Sequence, residues 1–191
     1  ILSLLDLSAA FDTIDHEILC QRLQDVFGCT GTALAWFSSY LTDRTQSVVV
    51  NNIRSTPSPL RYGVPQGSVL GPVLFTMYTQ PLSSLINTLN HPYHFFADDS
   101  QLYDSTVPAD TPSLACEMSS SIASVADWMR DNKLKMNDEK TELIAVGTRS
   151  KLAQTPLLSM TILGHEIEFS NSVQGSTSYE KSRVFIPLSG Q

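Results

Sequence analysis

Hydrophobic positions follow two periods along this chain, and each switch between them marks a change of element. Residues 1–5 are almost continuously apolar without helical spacing, and read as a buried strand that ends at Asp6. From Asp15 the period lengthens: acids stand in the first turn, Leu19, Leu23 and Val26 recur on one face, and Gly28 stops a helix. A second helix over residues 32–41 sets Leu34, Phe37 and Leu41 on one side. Residues 45–50 are rich in β-branched side chains, Asn51-Asn52 is a turn signal, and residues 54–61 form a return strand confined to an edge by Pro57 and Pro59, which predicts one β-hairpin.

Residues 63–72 then hold three glycines and two prolines, a loop in which backbone N–H groups can approach a ligand closely. Gly71-Pro72 launches a helix with proline in its tolerated first turn. Leu74, Met77 and Tyr78 make its buried face, Pro81 kinks or restarts it, and Leu82, Leu85, Ile86 and Leu89 continue it. Residues 93–103 are two short apolar runs with Asp98-Asp99 between them, a hairpin with adjacent carboxylates at its tip. The clearest amphipathic helix covers residues 110–131, with Leu114, Met118, Ile122, Val125 and Met129 at helical spacing and Ser119-Ser120-Ser121 facing away. Residues 140–146 read as a strand ending at Gly147. This βαββαβ order predicts an α+β fold of the ferredoxin-like split βαβ type, an antiparallel sheet with helices on one face. Residues 160–163 and 167–169 around Gly164-His165 predict a last hairpin. Residues 171–182 are polar and aperiodic, and 184–188 make a brief apolar run.

With 191 residues, 42% of them hydrophobic, the chain can bury one core. It opens at Ile1 directly into an apolar run, as a piece of a longer chain would. No apolar stretch nears the roughly 18 residues of a bilayer span, so we expect no membrane association and an intracellular setting, cytoplasmic or nuclear. Cys20, Cys29 and Cys116 show no metal-ligand spacing and read as reduced thiols. The net charge of −7 weighs against nucleic-acid binding, although the distribution of charge decides more than its sum.

The chemistry concentrates at Asp98 and Asp99. Two adjacent carboxylates repel unless a cation joins them, and a third acid would complete a two-metal site for phosphoryl chemistry. Asp6, at the end of the first strand, supplies that acid if its strand neighbours the hairpin. A glycosidase is excluded, because adjacent acids are too close to flank a bond that needs ~5 Å or more between them. Asp12, six residues past Asp6 and near a helix start, reads as an N-cap. His16, His91, His94 and His165 are scattered.

Residues 4–16 (LLDLSAAFDTIDH), 63–72 (GVPQGSVLGP), 96–99 (FADD) and 137–142 (NDEKTE) follow one another in order. Together they resemble the palm blocks of the reverse transcriptases of non-LTR, LINE-type (jockey- and CR1-like) retrotransposons, over residues 1–147; Trp36 to Leu41, with Arg44 and Gln46, is similar to the family's linking region. The resemblance implies a palm at 1–147, a final palm hairpin at 148–170 and an atypical tail at 171–191. It implies RNA-directed DNA polymerase activity on an RNA template and DNA primer with dNTPs, through two Mg²⁺ (or Mn²⁺) ions held by Asp6, Asp98, Asp99 and the carbonyl of Leu7. It further implies that Phe11 blocks a ribose 2′-OH, that Gln66, Gly67 and Ser68 shape the nucleotide pocket, and that Lys140 acts near the triphosphate as a general acid. A core aromatic, a turn residue and a solvated lysine are the other readings of Phe11, Gln66 and Lys140. The family carries fingers before this stretch and a thumb after it, so the stretch alone is expected to extend primers poorly. A catalytically silent remnant serving as a nucleic-acid or protein binding module is the alternative.

Overall fold

The computed structural model describes residues 1–137, 140–155 and 159–173. In chain order the elements are β1 (Leu2–Leu5), α1 (His16–Asp25), α2 (Gly31–Leu41), β2 (Arg44–Gln46), β3 (Val49–Val50), β4 (Ile53–Arg54), β5 (Ser58–Leu60), α3 (Leu70–Thr88), β6 (Tyr93–Phe96), β7 (Asp99–Tyr103), α4 (Thr111–Asp131), β8 (Glu142–Gly147), α5 (Arg149–Ala153), β9 (Ser159–Ile162) and β10 (His165–Val173). Residues 171–173 of the expected polar tail belong to β10; its remainder and the apolar run 184–188 lie outside the described residues. The chain forms two compact units. One holds residues 1–6, 86–124 and the described chain from Asn137 on; the other holds 7–85 and 125–136.

The first unit is built on a sheet of order β6-β7-β1-β8-β10-β9. β1 runs antiparallel between β7 and β8, and β6 and β7 form the expected hairpin. This is the expected α+β arrangement with one refinement: β10 pairs with β8 in parallel, so the sheet is mixed. Residues 148–164, with α5 and β9, separate the two strands and are long enough for the crossover that parallel pairing requires. β9 and β10 form the last hairpin, turning at Leu163-Gly164. Cross-strand register sets Leu5 with Ser100 and Ser3 with Leu102 on one face, all four buried, and Leu4 with Gln101 on the other. The buried stripe of α4 is the expected one, Leu114, Met118, Ile122, Val125 and Met129. Its serine run does not all face away: Ser121 is buried, and the Ser119 hydroxyl donates to the carbonyl of Thr161 in β9.

In the second unit Leu19 and Leu23 of α1 are fully buried, whereas Val26, at the helix's C-cap, is about half exposed. α3 runs unbroken through Pro81 and buries Leu74, Phe75, Tyr78 and Leu82. The single hairpin expected over residues 45–61 is two nested ladders, β2 with β5 and β3 with β4. Asn51 and Asn52 at the tip have φ of 49° and 62°, the left-handed pair a type I′ turn demands and asparagine tolerates. Arg22 anchors the interior: its guanidinium lies 4.6 Å from the Tyr78 ring centre and 5.3 Å from that of Trp128, and bonds the Asn132 side-chain oxygen. Tyr78 donates its hydroxyl to the Asn132 carbonyl at 2.6 Å.

Burial raises the Tyr78 phenol above its ordinary 10.0. The folded state therefore holds this proton more tightly than the unfolded state, so the contribution is full below pH 10 and is lost as pH rises through the folded value. Tyr78→Phe removes the bond to Asn132 and should cost about 1 kcal/mol at neutral pH in urea denaturation. The gap between wild type and variant should narrow as pH rises past 10; a gap that widens there contradicts this account.

Candidate active site

The first unit brings Asp6, Asp98 and Asp99 to one end of its sheet. The β1–β7 register pairs Leu5 with Ser100, so one further residue along each strand sets Asp6 across from Asp99, on the face that carries Leu4 and Gln101. On the other side Asp99 pairs with Phe96, which leaves Ala97 and Asp98 as a two-residue turn. Ala97 has φ of 54°, a position where such hairpins ordinarily place glycine. An alanine there is strained, and backbone strain of this kind clusters at functional sites.

Asp6 is held by the fourth block. The Asn137 N–H donates to the Asp6 carbonyl at 2.9 Å and its side-chain amide to Oδ2 at 3.4 Å. The Asn137 carbonyl in turn accepts from Lys140 N–H at 3.2 Å and the Thr141 hydroxyl at 3.0 Å. Lys140 Nζ stands 3.5 Å from Asp6 Oδ2 with its side chain 69% exposed, a weak ion pair whose ammonium is free to move. Asn137 had no assigned role from sequence; the only hint was a short polar residue four places before Thr141, just ahead of a strand. Leu7, in the second unit, bridges Met136, and Ser8 N–H bonds the Lys135 carbonyl at 2.8 Å. Leu7 sits there as a non-hydrogen-bonded pair, so that bridge uses neither its N–H nor its carbonyl.

The donor set fits a hard divalent ion, because carboxylates and a main-chain carbonyl are the ligands that Mg²⁺ and Mn²⁺ take. Among the described residues no three His, Cys, Asp or Glu side chains converge closely enough to hold a metal.

The second unit carries Phe11, Asp12 and the glycine-rich loop. Gly63 has φ of 84°, and a Cβ there would meet Asp12 Cα and O at 2.9 Å and Phe11 O at 3.0 Å. The close approach expected of this loop is thus made first to the chain's own backbone. Val64 N–H bonds the Phe11 carbonyl and Gly63 N–H the Ile14 carbonyl, each at 2.8 Å, while the Gly63 carbonyl accepts from His16 Nε2 at 2.8 Å and from the Arg44 guanidinium at 2.9 Å. Gly67 needs its glycine for φ of 78° alone, since its Cβ would meet open space. The Ser68 hydroxyl is used within the loop, donating to Pro65 O at 2.7 Å and accepting from Gly71 N–H at 3.0 Å. Phe11 packs against Phe75 with ring centres 4.9 Å apart and planes tilted by 32°, and is half-buried. Asp12 does not cap α1; Asp15 does, accepting from Glu17 N–H at 2.9 Å and Ile18 N–H at 3.1 Å. Asp12 accepts from the Gln66 side-chain amide at 3.0 Å.

A βαββαβ core with a two-aspartate hairpin beside the first strand is the palm of the right-hand polymerases. Residues 1–167 match the family of reverse transcriptases (RNA-dependent DNA polymerases), and the chain belongs to that family. It is 32% identical over 148 residues to a probable RNA-directed DNA polymerase from transposon BS of Drosophila melanogaster, covering 72% of this chain and 15% of that protein. It is 28% identical over 156 residues to a Pol polyprotein from type-1 retrotransposable element R2 of Popillia japonica, covering 76% of this chain and 24% of that one. A 78-residue stretch is 35% identical to the RNA-directed DNA polymerase from mobile element jockey of Drosophila melanogaster, covering 41% of this chain and 8% of that protein. The fold is that of telomerase from Candida tropicalis (TM-score 0.57, 16% identity, 87% of this chain and 33% of that one) and from Candida albicans (TM-score 0.56, 14% identity, 87% and 30%).

Gly63→Ala should destabilise by at least about 2 kcal/mol, because the methyl meets rigid backbone and φ is left-handed. Gly67→Ala, with open space around it, should cost about 1 kcal/mol from φ alone. Urea denaturation of both variants checks the order; equal losses contradict the contact described at Gly63.

Proposed function

We propose that this chain is the palm portion of an RNA-directed DNA polymerase of the non-LTR retrotransposon type, which adds deoxynucleotides to a primer 3′-OH along an RNA template inside the cell, in cytoplasm or nucleus. Residues 1–147 supply the palm blocks, residues 148–170 its closing hairpin, and residues 171–191 a tail of its own kind. The observation that supports this reading is the pairing of Leu5 with Ser100, which continued by one residue brings Asp6 toward Asp99, with Asp98 in the adjoining turn.

Asp6, Asp98, Asp99 and the Leu7 carbonyl would hold two divalent ions, whose chemistry there would be to activate the primer hydroxyl and neutralise the triphosphate. The chain's own residues orient and select. Lys140, already beside Asp6, offers a mobile proton donor near the leaving pyrophosphate. Phe11, fixed by Phe75, closes the space that a 2′-hydroxyl would need. Gln66, Gly67 and Ser68 shape the nucleotide pocket. Charge placement supports a nucleic-acid partner despite the net −7: no Asp or Glu occurs between positions 44 and 97, where Arg44, Arg54 and Arg61 lie.

On oligo(dT)-primed poly(A) the chain should add a few deoxynucleotides slowly, in a Mg²⁺-dependent manner. Asp98→Ala should lower this by at least about a hundredfold, and Phe11→Ala should admit ribonucleotides. Synthesis that survives Asp98→Ala undiminished overturns the proposal.

A further inference from the structure

The carboxylate of Asp12 has no place in the metal set and does not cap α1. It is instead aimed at Gln66, 54 residues away in sequence. The two backbones that carry them are locked together without side chains. Gly63 lies against Phe11 and Asp12 with no room for a Cβ, and the bonds from Val64 to Phe11 and from Gly63 to Ile14 fasten the segments on either side of Asp12. Asp12 N–H is itself tied to the Ala9 carbonyl at 2.9 Å, which fixes its turn. Main-chain geometry therefore brings the two segments together, and the exposed side chains of Asp12 and Gln66 meet at 3.0 Å.

The chemistry of that contact has a direction. A carboxylate can only accept, so the Gln66 atom facing Asp12 must be its nitrogen. A free glutamine presents its oxygen and nitrogen interchangeably, since the amide can flip. Both side chains are exposed; while Nε2 donates to Asp12, the favoured flip leaves Oε1 as the atom available to a ligand. We propose that Asp12 is a positioning residue: it sets the Gln66 amide so that the loop offers an acceptor to the incoming nucleotide and selects a donor group there, such as a sugar hydroxyl. This rests on the reading of Gln66 as a nucleotide contact.

The exchange of donor and acceptor between the two positions gives the test. Asp12→Ala removes the acceptor, and Gln66→Glu sets two carboxylates against each other. Asp12→Asn with Gln66→Glu restores the bond in reverse, with the asparagine amide donating, and still leaves a position-66 oxygen for the nucleotide. The measurement uses the 191-residue chain with a dideoxy-terminated oligo(dT) primer on poly(A) and Mg²⁺, so that dTTP binds without chemistry. Asp12→Ala and Gln66→Glu should each weaken dTTP binding about tenfold, and the double variant should recover to within about threefold of wild type. In parallel, the Gln66 side-chain NH₂ signals in a ¹⁵N spectrum should collapse to the position of an exposed glutamine in Asp12→Ala and stay apart in Asp12→Asn. Recovery in the double variant assigns the effect to the bond between positions 12 and 66, and the Gln66 NH₂ signals show whether that bond orients the amide. If Gln66→Ala weakens dTTP binding while Asp12→Ala does not, the role of Asp12 falls and the nucleotide pocket stands. If Gln66→Ala has no effect, the pocket reading falls and takes this proposal with it.

Discussion

Everything chemical in the first unit depends on the register of one short strand. β1 has four residues, and its pairing with β7 decides which face the residue after it occupies. A slip by one position would turn Asp6 to the face of Leu5 and Ser100, into buried surroundings and away from Asp99. The register is held from both sides, since β8 pairs with β1 as well and Asn137, just ahead of β8, bonds both the carbonyl and the carboxylate of Asp6. The buried side chain of Leu5, on the same face as Leu102, supplies the hydrophobic reason for the choice, because a slip of β1 would move Leu5 to the opposite face.

The second unit solves a different problem by backbone rather than by side-chain pairing. Gly63 brings the loop into van der Waals contact with the segment after β1, and its carbonyl collects two cationic or polar donors, Arg44 and His16. Side chains on such a support start from a restrained backbone, which would lower the entropy lost if they bind a ligand. The Asp12–Gln66 pair is an instance in which a side-chain flip is chosen by a neighbour's inability to donate.

Strong periodicity was legible in the sequence. The buried stripe of α4, the two-aspartate hairpin and the first strand ending at Asp6 all appear where the pattern sets them, because burial selects the same residues that spacing reveals. What periodicity could not show was choice among equivalent local options. Asp12 and Asp15 are both acids near a helix start, and only the path of the chain makes Asp15 the cap. Residues 45–61 read as one hairpin because a pattern of β-branched residues does not record where a ladder is interrupted. The parallel pairing of β10 was invisible because strand direction depends on the length of the crossover and not on the strand's own composition. The motif residues were nominated by resemblance, while Asn137 and the use of Gly63 against the chain itself left little mark in the sequence, since each acts through main-chain contacts.

The proposal's central claim is that Asp6, Asp98 and Asp99, which the β1–β7 register and the adjoining turn bring to one end of the sheet, bind one cation cluster. Titration of the ¹⁵N-labelled chain with Mn²⁺ tests it directly, because the ion broadens the amide signals nearest to it. The signals of Asp6, Leu7, Asp98 and Asp99 should broaden first, and Asp6→Asn or Asp99→Asn should each move the midpoint to higher Mn²⁺. Broadening that begins at other acids, or that both variants leave unchanged, contradicts the claim.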